Sequence, residues 1–161
     1  MGKQFKSDLH VRQVTRERQL QQAFAIRMRV FVGEQGVPAD IELDRHDRRA
    51  IHFLAFVDKK PIGTARIVMH RGSAKIGRMA VSKKYRRHGV GAKLLQRAIA
   101  IAKRLRAKKI YLHAQVAVIG FYERFGFSSL GSIFDEAGIP HRKMVHESRG
   151  LRREARGQQM K

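Results

Sequence analysis

Cysteine is absent from this chain, which excludes a disulfide scaffold, a thiolate metal site and a cysteine nucleophile, and fits a reducing compartment. Tryptophan is absent too, and there are only three tyrosines, so platforms on which single-stranded bases could stack are scarce. No apolar run approaches the roughly 18 residues that span a membrane. The opening MGKQFKSDL lacks the apolar core of a secretory signal, and Lys6 stands where a myristoylation pattern needs Ser or Thr. A cytoplasmic protein is therefore expected. Negative charge is the other shortage: 13 Asp and Glu oppose 35 Lys and Arg, a formal net charge of +22. Glu34, Asp40, Glu42, Asp44 and Asp47 all fall between positions 34 and 47, whereas the segment 59–109 holds no acid at all. One acidic stretch stands in a basic protein. Such a surface attracts polyanions, so a nucleic-acid-binding protein is one reading of the charge, and a solvated basic face is another.

At 161 residues the chain suits one domain with a sizeable core. The expected layout is a domain over 8–147 followed by a basic tail, 148–161, with little to bury. Residues 8–14 suit a first strand. Thr15 suits an N-cap for a helix to about Val32 with the stripe Leu20, Phe24, Met28 and Phe31. The segment 34–49 reads as an irregular loop broken at Gly36 and Pro38. IHFLAFVD and PIGTARIVM form a hairpin turning at Asp58–Pro61, and AKIGRMAV is a strand whose Gly77 suggests a bulge. From Gly89 the period becomes helical, with Val90, Leu94, Ala98, Ile101 and Leu105 on one face. KKIYLHAQV is a strand, 117–125 a short helix stopped by Gly126, and SSLGSIF and HRKMVHE a final strand pair.

Before the long helix stands YRRHGVGAKLL. A helix N-terminus carries unpaired N–H groups and partial positive charge, and glycine lets a ligand approach the backbone. With Lys83, Lys84, Arg86, Arg87 and His88 ahead of Gly89 and Gly91, the turn points to an anion such as a phosphate. A dinucleotide fingerprint fails because Leu94 stands where its third glycine belongs, and no GxxxxGK[ST] loop occurs.

Arg86, Gly89 and Gly91 do meet [QR]xxGxG/A. Together with KIGRMAV before it and IYLHAQV and FYERFGF after it, the chain resembles the GCN5-related N-acetyltransferase (GNAT) superfamily over roughly Asp8 to Glu147. EQGVP and DEAGIPH resemble its small bacterial ElaA-like or YjcF-like subgroup. The resemblance implies a single α/β domain with a mixed central sheet of six to seven strands and about four helices. It implies transfer of an acetyl group from acetyl-CoA, without a metal, to a primary amine that attacks directly in a ternary complex. The implied coenzyme A contacts are Met79, Ala80, Val81, Arg86, Arg87, His88, Gly89, Val90, Gly91 and Ala92. Tyr122 matches the superfamily's tyrosine in FYERFGF; its phenol stays protonated at pH 7 and can donate to the departing thiolate.

An acceptor lysine amine, with pKa about 10.4, costs about 4 to 5 kcal/mol to deprotonate at pH 7, so a base or a desolvating site must help. Where some members carry a glutamate before the glycine turn, this chain has Arg78. His113 shares a strand face with Tyr111 and Gln115 and is a candidate base. Glu42 is a second candidate; the resemblance implies that its loop, with Asp44, borders the acceptor site, and the acidity of that loop suits a cationic amine. His52 reads as a core residue.

Overall fold

The computed structural model of the protein describes residues 8–147. The expected basic tail at 148–161 lies outside the described residues. The architecture is α/β, as expected. Its strands are β1 (His10–Gln13), β2 (Ile51–Val57), β3 (Lys60–His70), β4 (Ser73–Val81), β5 (Lys109–Gln115), β6 (Phe127–Glu136) and β7 (Ile139–His146). The helices are α1 (Glu17–Arg27), α2 (Ala39–Glu42), α3 (Val90–Arg104) and α4 (Ile119–Glu123). Both sets agree in number with the expected six to seven strands and four helices. Among the described residues no helix is long and apolar enough to cross a membrane. The chain divides into two compact units, one of residues 8–68 and 76–101, the other of 69–75 and 102–147.

In the first unit the strands lie in the order β1-β2-β3-β4, with β2 antiparallel to both β1 and β3. Asp58 and Lys59 turn the β2–β3 hairpin with φ of 50° and 64°, the paired left-handed geometry that matches the twist of the flanking strands. β2 and β3 are nearly continuous apolar runs because both of their faces are covered. Ala23, Ile26 and Val30 form a core cluster with Leu54 and Ala80. α1 begins one residue later than expected. Arg16 is its N-cap, and the Gln19 side chain accepts from the backbone N–H groups of Thr15 and Arg16 at 2.9 and 3.3 Å. After Arg27 the helix continues as a π-helical segment, Met28–Glu34. The buried line is Ala23, Ile26, Arg27 and Val30, and the expected stripe of Leu20, Phe24, Met28 and Phe31 is only half-buried. The expected loop after it holds α2 and a 3-10 turn, Arg45–Arg48.

α3 enters this unit through Val90, Leu94, Leu95 and Ala98, all buried. Gly63 on β3 makes the close approach possible. A Cβ there would lie 3.0 Å from Val90 Cγ1 and 3.1 Å from Leu94 Cδ1.

In the second unit the order is β5-β7-β6, with both pairs antiparallel. β5 alternates strictly, burying Ile110, Leu112 and Ala114 while Tyr111, His113 and Gln115 stay half-exposed. Met144 of β7 and Phe127 of β6 are buried as well. Gly126, at φ 87°, carries the chain from α4 into β6.

Candidate active site

The basic turn is built on the end of β4. Ser82 N–H donates to the Ile62 carbonyl at 2.8 Å, and Tyr85 N–H to the Ser82 carbonyl at 2.8 Å, closing the 3-10 turn Lys83–Tyr85. Tyr85 is buried, with the ammonium groups of Lys60 and Lys84 each 5.9 Å from its ring centroid. The chain then takes left-handed conformations at Arg87 (φ 67°) and Gly89 (φ 79°) before entering α3. Nothing lies within 4 Å of where a Cβ on Gly89 would stand, so the backbone here is open to a ligand. Lys83, Lys84, Arg86, Arg87 and His88 are exposed around it. Arg86 is anchored, its Nε donating to the Val81 carbonyl at 2.9 Å and its Nη2 to Glu34 at 2.5 Å. That hydrogen bond holds the Glu34 carboxyl below its ordinary pKa.

All ten expected coenzyme A contacts thus fall in the first unit, on the end of β4, the turn and the first turn of α3. Ala80 and Val90 are buried, which leaves their backbone rather than their side chains to meet a ligand. The open, basic helix entrance suits an anion such as a phosphate.

The β4 irregularity lies one residue beyond the expected glycine. Arg78 has φ 47°, a strained conformation for a residue with a side chain, while Gly77 is not left-handed. Arg78 joins an ion network that sequence reasoning missed. Arg27, 1% exposed, donates from Nε to Glu42 at 2.9 Å and from Nη1 to Asp47 at 2.7 Å. Arg66 donates to both oxygens of Asp44 at 2.8 Å and to Asp47 at 2.8 Å. Arg78 Nη2 donates to Asp44 at 3.2 Å, and its Nε lies 3.4 Å from Glu42. The partners of these acids are therefore Arg27, Arg66 and Arg78, which lie on three other elements of the unit. Each buried arginine requires a buried carboxylate, because an unpaired charge is costly out of water. The signal was present: an arginine beside the apolar stripe of α1, another inside the apolar run of β3, and the acids clustered in one stretch.

Glu42, a candidate base, is 3% exposed. Burial raises its pKa, with the Arg27 hydrogen bond and the Arg78 charge opposing. For Asp44, burial is outweighed by its Arg66 hydrogen bond and the charges of Arg66 and Arg78, and its pKa falls to about 2. Three guanidinium groups meet three carboxylates, so Glu42, Asp44 and Asp47 are neutralised where they fold.

The other two catalytic candidates lie in the second unit. The register pairs His113 with Lys143, Gln115 with His141, Phe134 with His141 and Glu136 with Ile139, which puts His113, His141, Phe134 and Glu136 on one face. His113 Nδ1 is 3.2 Å from Glu136 Oε1, and His141 Nε2 is 3.5 Å from Glu136 Oε2. Phe134 meets His113 edge-on at 4.9 Å and stacks on His141 at 6.1 Å. Glu136 escaped notice as a partner of His113 because they lie on strands separated by β7. Tyr122, on α4, is half-buried between Phe121 and Phe127, and burial pushes its hydroxyl up to about 12. His52, read as a core residue, is 5% exposed, and burial lowers its pKa.

The fold is that of the acyl-CoA N-acyltransferases. The crystal structure of such an enzyme from Pseudomonas aeruginosa matches with a TM-score of 0.77 and 30% identity, covering 86% of this chain and 99% of that one. Escherichia coli ElaA matches with a TM-score of 0.78 and 28% identity over 86% of this chain and 99% of its own. The uncharacterized N-acetyltransferase YjcF of Bacillus subtilis is 36% identical over 81% of this chain and 94% of its own. Residues 18–127 match the Acetyltransferase (GNAT) family. The chain belongs to that family: it is an N-acetyltransferase, and acetyl-CoA is the family's acetyl donor.

Proposed function

We propose that the protein acetylates a primary amine by direct attack within a ternary complex. The observation that carries the acetyl-CoA site is the exposed basic turn, left-handed at Arg87 and Gly89, at the entrance of α3. In this reading the backbone of residues 86–92 cradles the pyrophosphate, and Met79, Ala80 and Val81 line the rest of the coenzyme A path. The strand N–H groups around Arg78 face the developing oxyanion, since a left-handed residue inside a strand frees a donor that a regular ladder would use. His113 takes the proton of the attacking amine, and Tyr122 donates a hydrogen bond to the departing thiolate. The contacts of Glu42 with Arg27 and Arg78 support a positioning role for it instead of proton transfer. Because Glu42 and Asp44 are neutralised by arginines, their charge gives no preference for a cationic acceptor.

The test is calorimetric titration with acetyl-CoA, coupled to a screen of primary amines read by release of free thiol. Gly91→Glu adds bulk and negative charge at the turn and should abolish acetyl-CoA binding while the fold persists. A folded Gly91→Glu protein that binds as tightly as the parent would show that the turn is not the site.

A further inference from the structure

The Glu136–His113 contact carries more than proximity. A carboxylate accepts hydrogen bonds and donates none, and Glu136 is ionised at neutral pH, its pKa lowered first by the His113 hydrogen bond and opposed by burial. The proton of the neutral His113 ring must therefore sit on Nδ1, 3.2 Å from Oε1. Nε2 then carries the lone pair. Phe134, edge-on at 4.9 Å, limits rotation of the ring, and the His113 side chain is 24% exposed, so Nε2 can meet solvent or a bound amine.

His141 also turns its Nδ1 to an acceptor, here on the backbone. Its Nδ1 is 2.7 Å from the Ile139 carbonyl, which can only accept. Its Nε2 faces the second oxygen of Glu136, and Lys75 adds favourable charge to the same carboxylate.

We propose that Glu136 is the positioning residue of the base: it holds Nδ1–H of His113 and so presents the Nε2 lone pair to the acceptor amine. This rests on the reading of His113 as the base. In the step it serves, the amine nitrogen bonds to the acetyl carbon as its proton passes to Nε2. The carbon–sulfur bond breaks, the thiolate leaves, and the imidazolium returns its proton to solvent.

The experiment is ¹⁵N-histidine NMR on the full chain at about pH 8.5, where imidazole rings are neutral, combined with kinetics on a fixed panel of benzylamine, spermidine and a lysine-containing peptide. The parent should show His113 protonated at Nδ1. Glu136→Ala should return the ring to the Nε2–H form favoured by free histidine and lower kcat about 10-fold or more, leaving the KM for acetyl-CoA in place. Glu136→Gln keeps an acceptor oxygen, so it should retain the Nδ1–H form and recover most of kcat. A parent His113 protonated at Nε2, or an Ala variant with the parental tautomer and kcat, overturns the positioning role. Parental turnover in His113→Gln instead removes the base reading, and the NMR result then decides the orientation by itself.

Discussion

Tyr122 is placed to give a hydrogen bond more readily than a proton. Its ring sits 5.1 Å from Phe121 and 6.1 Å from Phe127, and burial pushes its hydroxyl up to about 12. Moving a proton from such a phenol to a thiolate whose conjugate acid has a pKa near 8.5 is uphill by about 5 kcal/mol. A hydrogen bond to the developing sulfur charge costs no such transfer and is strengthened by the apolar surroundings. Tyr122→Phe, which keeps the ring, should therefore lower kcat about 10²- to 10³-fold with acetyl-CoA affinity nearly constant, as single-turnover and binding measurements would reveal. Unchanged kcat would reduce Tyr122 to packing. The same burial has a stability consequence. The phenol ionises near 10 in the unfolded chain, so its contribution is fully present below pH 10 and is lost as pH rises through about 12. The Phe variant should show a shallower alkaline fall in melting temperature than the parent.

Helix α3 ties the glycine turn to the sheet, and its entry depends on one missing side chain. A Cβ at Gly63 would stand 3.0 and 3.1 Å from Val90 and Leu94, the residues that begin the buried stripe. Gly63→Val adds a three-carbon isopropyl group into that contact, so it should cost about 1 to 3 kcal/mol in denaturant titration. It should also weaken acetyl-CoA binding by displacing the turn that Val90 anchors. A Gly63→Val protein with parental stability and affinity would mean that the helix tolerates a shift. This dependence was hidden in the sequence, where Gly63 is an ordinary residue in an apolar run. The turn, α3 and the alternation of β5 were legible because each has a local signature: charge beside glycine, a helical period, a period of two. The π-helical continuation of α1 was not, since its wider turn leaves no compositional mark, and neither was the buried face of the helix, which is Ala23, Ile26, Arg27 and Val30 instead of the expected stripe. The Arg27–Glu42–Asp47 contacts and the His113–Glu136 pair were hidden for another reason. Each joins residues at least 15 positions apart, and only the fold brings them together.

For the whole molecule, a formal net charge of +22 means that acid adds repulsion to a chain already repelling itself, and stability below neutral pH depends on groups that resist protonation. Two sets of such groups act in different pH windows. His52 and His146 have lowered pKa values because of burial, and the Nδ1 atom of each is buried without a hydrogen-bond partner among the described residues, as suits neutral rings. Their unfolded counterparts take up protons near pH 6.5, so the stability they confer is present above that value and declines as pH falls below it. Asp44, at about 2, and Asp47, also lowered, govern the second window. Their contribution is present above the unfolded value of 3.8 and is lost as pH falls further, for Asp44 through about 2, when Arg66 and Arg78 lose this carboxylate partner. The melting temperature should therefore decline in two stages, beginning near pH 6.5 and steepening below pH 4. Asp44→Asn should lower it at neutral pH and flatten the second stage, because the amide has no proton to gain; the first stage should be unaltered. Added salt should soften the surface repulsion at every pH while leaving the buried Arg27 contacts nearly unscreened, so the two stages should survive at high ionic strength. A melting temperature constant from pH 7 to 5 would remove the histidine argument, and an acid limb with the same slope in parent and Asp44→Asn would remove the one built on Asp44.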